Sequence, residues 1–324
     1  MAEKFYTKYA GQTQIEGAGK DRFGNADGEQ YDLAKPKAFK GQTIAVMHLY
    51  TGGDFGGWQD DFDFKLPEQA LKEKGFEVYR WTQVPSLQEF RRILDFSCQF
   101  WLIPTAECCL SDEHIRIIKN FFDSGKGIYL WGDNWPYYAD TNILASIMFG
   151  VTMSGSVPGG NILTIRRREG SPGLIPHLVT TGIEYLFEGV TIATLQRSQT
   201  LMPLVYGSAN NLLIATFDDG KRRAIIDGGF TRLYINWDTA GTGRYVKNAA
   251  AWLANVEHRF TDTSRAVHQQ VRVLDALSEQ DVAVSQSRRT LDTKAEVRDH
   301  VFCSNCGTSN KATAKYCIQC GERI

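Results

Sequence analysis

The sequence predicts a three-layer α/β sandwich with a mostly parallel sheet, followed by a small C-terminal module built on a cysteine cluster. From residue 42 onward, apolar β-branched runs alternate with amphipathic helical stretches at the spacing of βαβ units. The chain has 324 residues, of which 43% are hydrophobic, so it can bury both faces of such a sheet. Four of the seven cysteines fall in the last two dozen residues.

Strands and helices alternate through the first half of the predicted body. The helix after residue 110 is expected to begin at Ser111, because a serine side chain can accept a hydrogen bond from a free N–H group of the first turn. The carboxyl ends of parallel strands meet at one edge of a sheet, and ligands gather there. Strands are predicted at 43–50, 76–81, 98–103 and 127–131, and the other helices at 66–74, 86–96 and 140–149.

The second half of the body is richer in strands. Asn-Asn and Asp-Asp-Gly sequences supply turns between apolar runs. An amphipathic helix is predicted over 245–256 to close the body. Short strands are predicted at 151–157, 162–167, 190–195, 212–217 and 224–227.

Four regions follow from these patterns. Residues 1–41 are polar and form either a flexible arm or a strap over the body, and residues 42–256 form the α/β domain. Residues 257–300 are predicted to be a helical linker with a narrow apolar stripe. That stripe either packs on the body or pairs with another chain, so the sequence leaves open whether the protein forms a homo-oligomer. Residues 301–324 form the cysteine module.

Charge and composition exclude several classes of function. The formal net charge of -1 gives no argument for nucleic-acid binding, and no stretch approaches the roughly 18–20 apolar residues of a membrane helix. The first residues lack the apolar core of a secretory signal, and the body cysteines show no disulfide framework. We therefore expect a cytoplasmic protein that binds neither nucleic acid nor membrane.

The cysteine module is predicted to hold one structural Zn²⁺ ion. Two Cys-x2-Cys pairs, Cys303 with Cys306 and Cys317 with Cys320, are separated by ten residues. Each pair can form a tight turn that points two sulfurs at one ion, and four thiolates close a tetrahedral site. So short a segment cannot bury a core of its own, so the metal supplies the folding energy. The segment resembles short zinc-ribbon modules, which bind proteins or nucleic acid or cap a chain.

Residues 42–256 resemble the class I glutamine amidotransferase-like superfamily, including its trehalose-utilisation-type and intraflagellar-transport-type branches. WLIP at 101–104 resembles the strand entering the oxyanion loop, and GKGIYLWGDN at 125–134 resembles the strand and elbow that carry the nucleophile. HLVTTGIEYLFEGVT at 177–191 is similar to the His-Pro-x-Thr-x-Gly segment of these folds. The stretch at 221–255 is similar to their closing strand, loop and helix.

The chain departs from this family where the catalytic groups belong. The elbow carries Gly132, Asp133 and Asn134 instead of a cysteine, and the late strand is followed by 227–231, DGGFT, instead of a His and a Glu. A nucleophile needs a base to activate it, and here both are missing. The resemblance therefore implies the fold without amidotransferase chemistry.

Three residues are candidate catalytic groups. Cys108 follows the third strand at the ligand edge, where His48 at the end of the first strand could approach it, and Asp133 lies at the elbow. A reactive thiol needs a depressed pKa and a neighbouring base. The alternative is that one of Cys108 and Cys109 is buried as a small apolar residue and the other is incidental.

The loop after the first strand is a candidate ligand site. Asp54, Trp58 and Asp61 lie in it, and Asp133 and Asn134 could face it across the sheet edge. Carboxylates bind hard cations and aromatic rings stack on sugars, so a metal or a carbohydrate is the expected ligand. The alternative is a solvated loop with Asp at turn positions.

These observations predict a non-catalytic scaffold that binds a protein partner through the linker and ribbon, or a glycan-like ligand. The competing hypothesis is a hydrolase or transferase that uses Cys108 or the Asp-rich loop.

Overall fold

The fold is a three-layer α/β sandwich, as the sequence predicts. The structure is a computed structural model and describes residues 4–52, 62–259, 300–302, 308–311 and 313–323. The chain divides into two compact units, Met1–Thr263 and Ser264–Ile324. Among the described residues, no helix is long and apolar enough to cross a membrane.

The helices of the first unit are α1 (Lys65–Glu73), α2 (Leu87–Phe96), α3 (Asp112–Asp123), α4 (Ala139–Phe149) and α5 (Thr242–Leu253). Its strands are, in chain order, β1 (Gln42–His48), β2 (Phe76–Trp81), β3 (Ser97–Ile103), β4 (Gly127–Trp131), β5 (Met153–Pro158), β6 (Ile162–Thr164), β7 (Gly173–Leu174), β8 (Tyr185–Phe187), β9 (Thr191–Leu195), β10 (Met202–Tyr206), β11 (Leu212–Asp218) and β12 (Arg223–Asp227).

One eight-stranded sheet carries the body, in the order β2-β1-β3-β4-β12-β11-β10-β7. The first five strands in this order run parallel, and β11, β10 and β7 continue the sheet in antiparallel pairings. Two small antiparallel pairs, β5 with β9 and β6 with β8, stand apart from it.

The core lies on both faces of the sheet, because successive side chains of a strand point to opposite faces. In β1, Ile44 and Val46 join the cluster that contains Leu71 of α1 and Trp252 of α5. Ala45 and Met47 join the opposite cluster, to which α2, α3 and α4 contribute Phe90, Ile118 and Leu144. All four of these β1 side chains are buried, which explains the unbroken apolar run.

The caps explain where two helices begin. The side chains of Ser86 and Ser111 accept hydrogen bonds from the backbone N–H groups of Glu89 and His114, at 3.3 and 3.4 Å, so the predicted cap of α3 is confirmed. Helix α5 begins three residues before the predicted start, after Gly241 in the left-handed region.

Residues 4–41 pack against the body through an apolar and a charged contact. Phe5, Leu33 and Phe39 are buried in the cluster that α1 and α5 share. Asp32 is buried and forms ion pairs with Lys74, Lys247 and Arg244 at 2.8, 2.8 and 2.7 Å. Burial raises the pKa of Asp32, but Lys247, Lys74 and Arg244 together hold this pKa below its usual value. We name residues 4–41 the N-terminal strap.

The second unit contains a hairpin of β13 (His300–Phe302) and β14 (Ser309–Lys311). A further bridge pairs Tyr316 with Arg323. Gly321 lies between them at φ 74°, a left-handed conformation that glycine adopts without steric cost.

Candidate functional site

A cavity of about 440 Å³ opens at the carboxyl edge of the parallel strands. Strand β2 lies on one side of β1 and β3 lies on the other, so the order in which strands are added to the sheet reverses at β1. Open α/β sheets bind ligands beside such a reversal. Residues that follow β1, β4 and β12 line the cavity, among them Tyr50, Asp133 and Thr231.

The loop after β4 is fixed to the loop after β12. Gly132 donates its N–H to the Asp227 carbonyl at 2.8 Å, and its own carbonyl accepts from Phe230 at 3.0 Å. A Cβ atom at Gly132 would lie 2.5 Å from the Met153 sulfur, so a larger residue there would displace the Met153 side chain. The next residue, Asp133, is thereby held at the floor of the cavity.

Asp133 is a buried carboxyl group that lacks a full set of partners. The residue is 1% exposed, and its Oδ1 atom has no hydrogen-bond partner within the described part of the chain. Burial raises the pKa of Asp133 well above its usual range, although the Arg232 guanidinium and the nearby Thr231 hydroxyl lower it. This shift favours the protonated form of the carboxyl.

A second buried carboxyl, Asp227 at the end of β12, has many donors. Its Oδ2 atom accepts from Arg232 at 2.6 Å, Tyr129 at 2.9 Å and Tyr245 at 3.0 Å, and its Oδ1 accepts from the Gly229 N–H at 3.0 Å. Burial raises the pKa of Asp227, while these donors favour its charged form. With four donors, one of them the Arg232 guanidinium, we assign Asp227 as the ionised member of the pair of carboxyls.

Sequence reasoning missed this network, although Asp227 marked the end of a predicted strand. Arg232 is fully buried and also donates to the Glu188 carbonyl at 2.6 Å. The signal available was an arginine five residues after a strand-terminal aspartate, across a Gly-Gly turn. Tyr129 and Tyr245 gave no such signal, because buried tyrosines usually only pack.

His48 does not act on Cys108 in this structure. Its Nδ1 accepts a hydrogen bond from Arg80 at 3.2 Å, because a guanidinium only donates, and its Nε2 therefore donates to the Tyr234 hydroxyl at 2.9 Å. Burial and the Arg80 charge lower the pKa of His48 to about 3. Both ring nitrogens are engaged, so His48 is a structural group.

The body cysteines carry no sign of activation. Cys108 and Cys109 are exposed, and the Cys109 thiol donates to the Glu107 carbonyl at 3.6 Å. Burial and the Asp140 carboxylate raise the pKa of the Cys109 thiol. Cys98 is buried, and burial raises the pKa of its thiol to about 11. Reactive thiols need the opposite shift.

The predicted ligand set is only partly described. Asn134 lines the cavity with Asp133 and donates from Nδ2 to the Trp135 carbonyl at 3.0 Å. Asp54, Trp58 and Asp61 lie outside the described residues. Phe62, which follows that loop, lines the cavity.

Half of the predicted zinc ligands can be placed. Cys317 is buried, and its sulfur accepts from the Gln319 N–H at 3.4 Å and from Asn310 Nδ2 at 3.7 Å. Such donors stabilise a thiolate, so this position fits a metal ligand. Cys320 is exposed on the same turn. Cys303 and Cys306 lie outside the described residues.

Comparison with known proteins confirms the C-terminal module. Residues 302–324 match the family model of the zinc-ribbon domain. No match was found among curated proteins.

Several solved structures are similar to part of this chain at low identity and with TM-scores below 0.5. The mmIFT52 N-terminal domain is 12% identical, with 65% of this chain and 97% of that chain covered and a TM-score of 0.47. A ThuA-like protein from Bacteroides uniformis ATCC 8492 is 11% identical, with coverages of 70% and 95% and a TM-score of 0.44. A GMP synthase-like protein from Thermoplasma acidophilum is 9% identical, with coverages of 68% and 98% and a TM-score of 0.38. At these identities the likeness concerns the fold alone.

Proposed function

We propose that this protein is a non-catalytic cytoplasmic scaffold that recruits a protein partner through its zinc ribbon. The elbow after β4 is the observation that carries the proposal. The resemblance to amidotransferase-like domains implies a nucleophile there, whereas the chain has the buried Asp133. No cysteine or histidine is hydrogen-bonded to its side chain in the described ranges.

The chemistry of the elbow supports a non-catalytic role. Burial raises the pKa of Asp133 and so favours its protonated form, which is a poor nucleophile. The nearest charged group, Arg232, cannot serve as a base because a guanidinium stays protonated. A nucleophile and a general base are therefore both lacking from the described part of this edge.

The ribbon is the proposed recruiting element. Cys303, Cys306, Cys317 and Cys320 would hold one Zn²⁺ ion, which supplies folding energy to a segment too short for a core. With four thiolate ligands the ion has no open position for water, so its role is structural. A folded ribbon then presents a fixed surface to a partner.

The first test is for turnover. We expect the purified protein to release no ammonia from glutamine and no nitrophenol from a nitrophenyl ester above the level of the Asp133→Asn variant. Turnover that Cys108→Ala abolishes, while thermal unfolding is unchanged, would instead establish the hydrolase or transferase alternative.

The second test is for recruitment. Proteins captured from source cells by the full chain are identified, purified and titrated against the full chain, Cys317→Ser and the control Cys108→Ser. We expect Cys317→Ser to lose zinc in elemental analysis and to lose partner binding, whereas Cys108→Ser keeps both. A partner that binds the zinc-free variant with unchanged affinity contradicts recruitment through the ribbon.

A further inference from the structure

Two buried carboxyl groups behind the cavity share one buried positive charge. Asp133 and Asp227 are both buried, and Arg232 is the guanidinium that lies close to both. Arg232 is hydrogen-bonded to Asp227 and to the Glu188 carbonyl, and its Nε atom has no hydrogen-bond partner within the described residues. Within the described residues, Asp133 forms no ion pair, and its Oδ1 atom has no hydrogen-bond partner. With both carboxyls ionised, the cluster lacks one positive charge.

A positive charge that balances the second carboxylate would have to lie in the cavity. Asp133 lines it, and the lining contains no lysine, arginine or histidine among the described residues. Among the described lining residues, a ligand that enters the cavity meets one carboxyl group. A cation is the ligand that balances the cluster.

Aromatic rings form the wall of the cavity. Tyr50, Phe62 and Tyr137 all line it, and the Tyr50 ring contacts the other two edge-on at centroid distances of 5.1 and 5.2 Å. The face of an aromatic ring attracts a cation, and cages of such rings bind quaternary ammonium groups. This wall suits an organic cation better than a metal ion, which requires several oxygen ligands. No cluster of metal-ligating side chains occurs in the described ranges.

The rim of the cavity is apolar and exposed. Ile235 and Val190 line it and are 70% and 49% exposed. Large apolar side chains this exposed around one opening indicate a contact surface. They favour a ligand that carries alkyl groups.

We infer that the cavity binds an N-methylated ammonium group, with the Asp133 carboxylate as its counter-ion and Tyr50, Phe62 and Tyr137 as its aromatic wall. The inference concerns the body alone and does not depend on recruitment by the ribbon.

Binding should be coupled to the loss of one proton. Burial keeps Asp133 protonated in the empty cavity, whereas a bound cation favours the carboxylate. Arg232, Asp227 and Tyr234 are the charged and titratable groups that act on Asp133. Of these, Arg232 stays charged, and burial raises the pKa of Tyr234 well above its usual range. Affinity for the cation therefore rises with pH while Asp133 titrates.

The test compares choline with its uncharged isostere 3,3-dimethylbutan-1-ol, titrated calorimetrically against the full chain. We expect choline to bind at least about tenfold more tightly, the range expected when a buried charge is paired. Titrations in two buffers of different ionisation enthalpy should show release of a proton on choline binding.

Variants separate charge from shape. Asp133→Asn is expected to weaken choline binding about tenfold or more and to leave the isostere unaffected. Tyr137→Leu keeps an apolar wall and should weaken choline alone. Asp95→Asn, an exposed carboxylate on α2, is the matched control and should change neither. Thermal unfolding of each variant establishes that it is folded.

Three results would overturn the inference. Equal affinity for choline and the isostere, or choline binding that survives Asp133→Asn, overturns the inference. So does a failure of choline and tetramethylammonium to bind at millimolar concentration. Binding of glucose in place of either cation would instead indicate a neutral polyol site. None of these outcomes bears on the ribbon, which the zinc and partner measurements test separately.

Discussion

At the scale of single residues, the site depends on a carboxyl group that the fold buries without pairing it. Asp133 was predictable as a residue of the cavity, because it lies two residues after a buried strand at the carboxyl edge of the sheet. The hydrogen bond between Arg232 and Asp227 was not predictable, because it forms across a 3₁₀ turn at Phe230–Leu233 that has no periodic signature in sequence. Functional sites often retain such locally unfavourable groups.

Replacing Asp133 by Asn should change how stability depends on pH. The pKa of Asp133 is raised in the folded state and is about 3.9 in the unfolded state, so its contribution to stability is intact below about pH 4 and is lost as pH rises toward the folded value. We expect Asp133→Asn and the parent to differ least near pH 4, and the variant to gain up to about 1.4 kcal/mol per pH unit above it. Urea unfolding across this range measures the difference, and a constant offset at every pH would contradict it.

At the scale of elements, the parallel half of the sheet was predicted well and the antiparallel half less so. The buried strands β1, β3 and β4 are continuous apolar runs, which sequence patterns identify. Strand β7 has two residues and β10 contains a proline, so neither gives a strand signal, and both were missed. These two strands form because their backbones pair with neighbouring strands and their side chains are partly buried in the core.

The loop after β12 should tolerate no side chain at Gly229. A Cβ atom there would lie 2.5 Å from the Glu188 carbonyl oxygen and 2.6 Å from Arg232 Nη2, so it would push apart a hydrogen bond that helps to hold Arg232. We expect Gly229→Ala to lower the free energy of unfolding by about 1–3 kcal/mol. Gly19→Ala, whose nearest neighbour would be 3.8 Å away, is the control, and urea unfolding compares the two. Equal losses would show that the close approach is unimportant.

At the scale of the whole molecule, the N-terminal strap ties the two ends of the body together. Its Asp32 meets Lys74 after α1 and Arg244 and Lys247 in α5. Polar composition alone left open whether residues 1–41 are flexible, because four charges far apart in sequence give no local pattern. Phe5, Leu33 and Phe39 are too widely spaced to be recognised as core residues.

Removing the Asp32 carboxylate should be costly, because it leaves the fully buried Lys74 ammonium without its partner. Breaking a buried ion pair in this way costs about 3–5 kcal/mol, and we expect a loss of that size for Asp32→Ala in urea unfolding. Asp27→Ala, an exposed aspartate of the same strap, should change stability by less than about 0.5 kcal/mol. A similar small change for both would show that the ion-pair cluster contributes little.

The strap also sets when the body can fold during synthesis. Asp32 and its partner Arg244 are 212 residues apart in the chain. At about 5–20 residues per second, the ribosome needs roughly 10–40 s to make that interval. Until α5 emerges, the face of the sheet that it covers stays open, and Asp32 and Lys74 have only each other. Nascent chains of this protein should therefore remain accessible to chaperones and proteases until the body is almost complete.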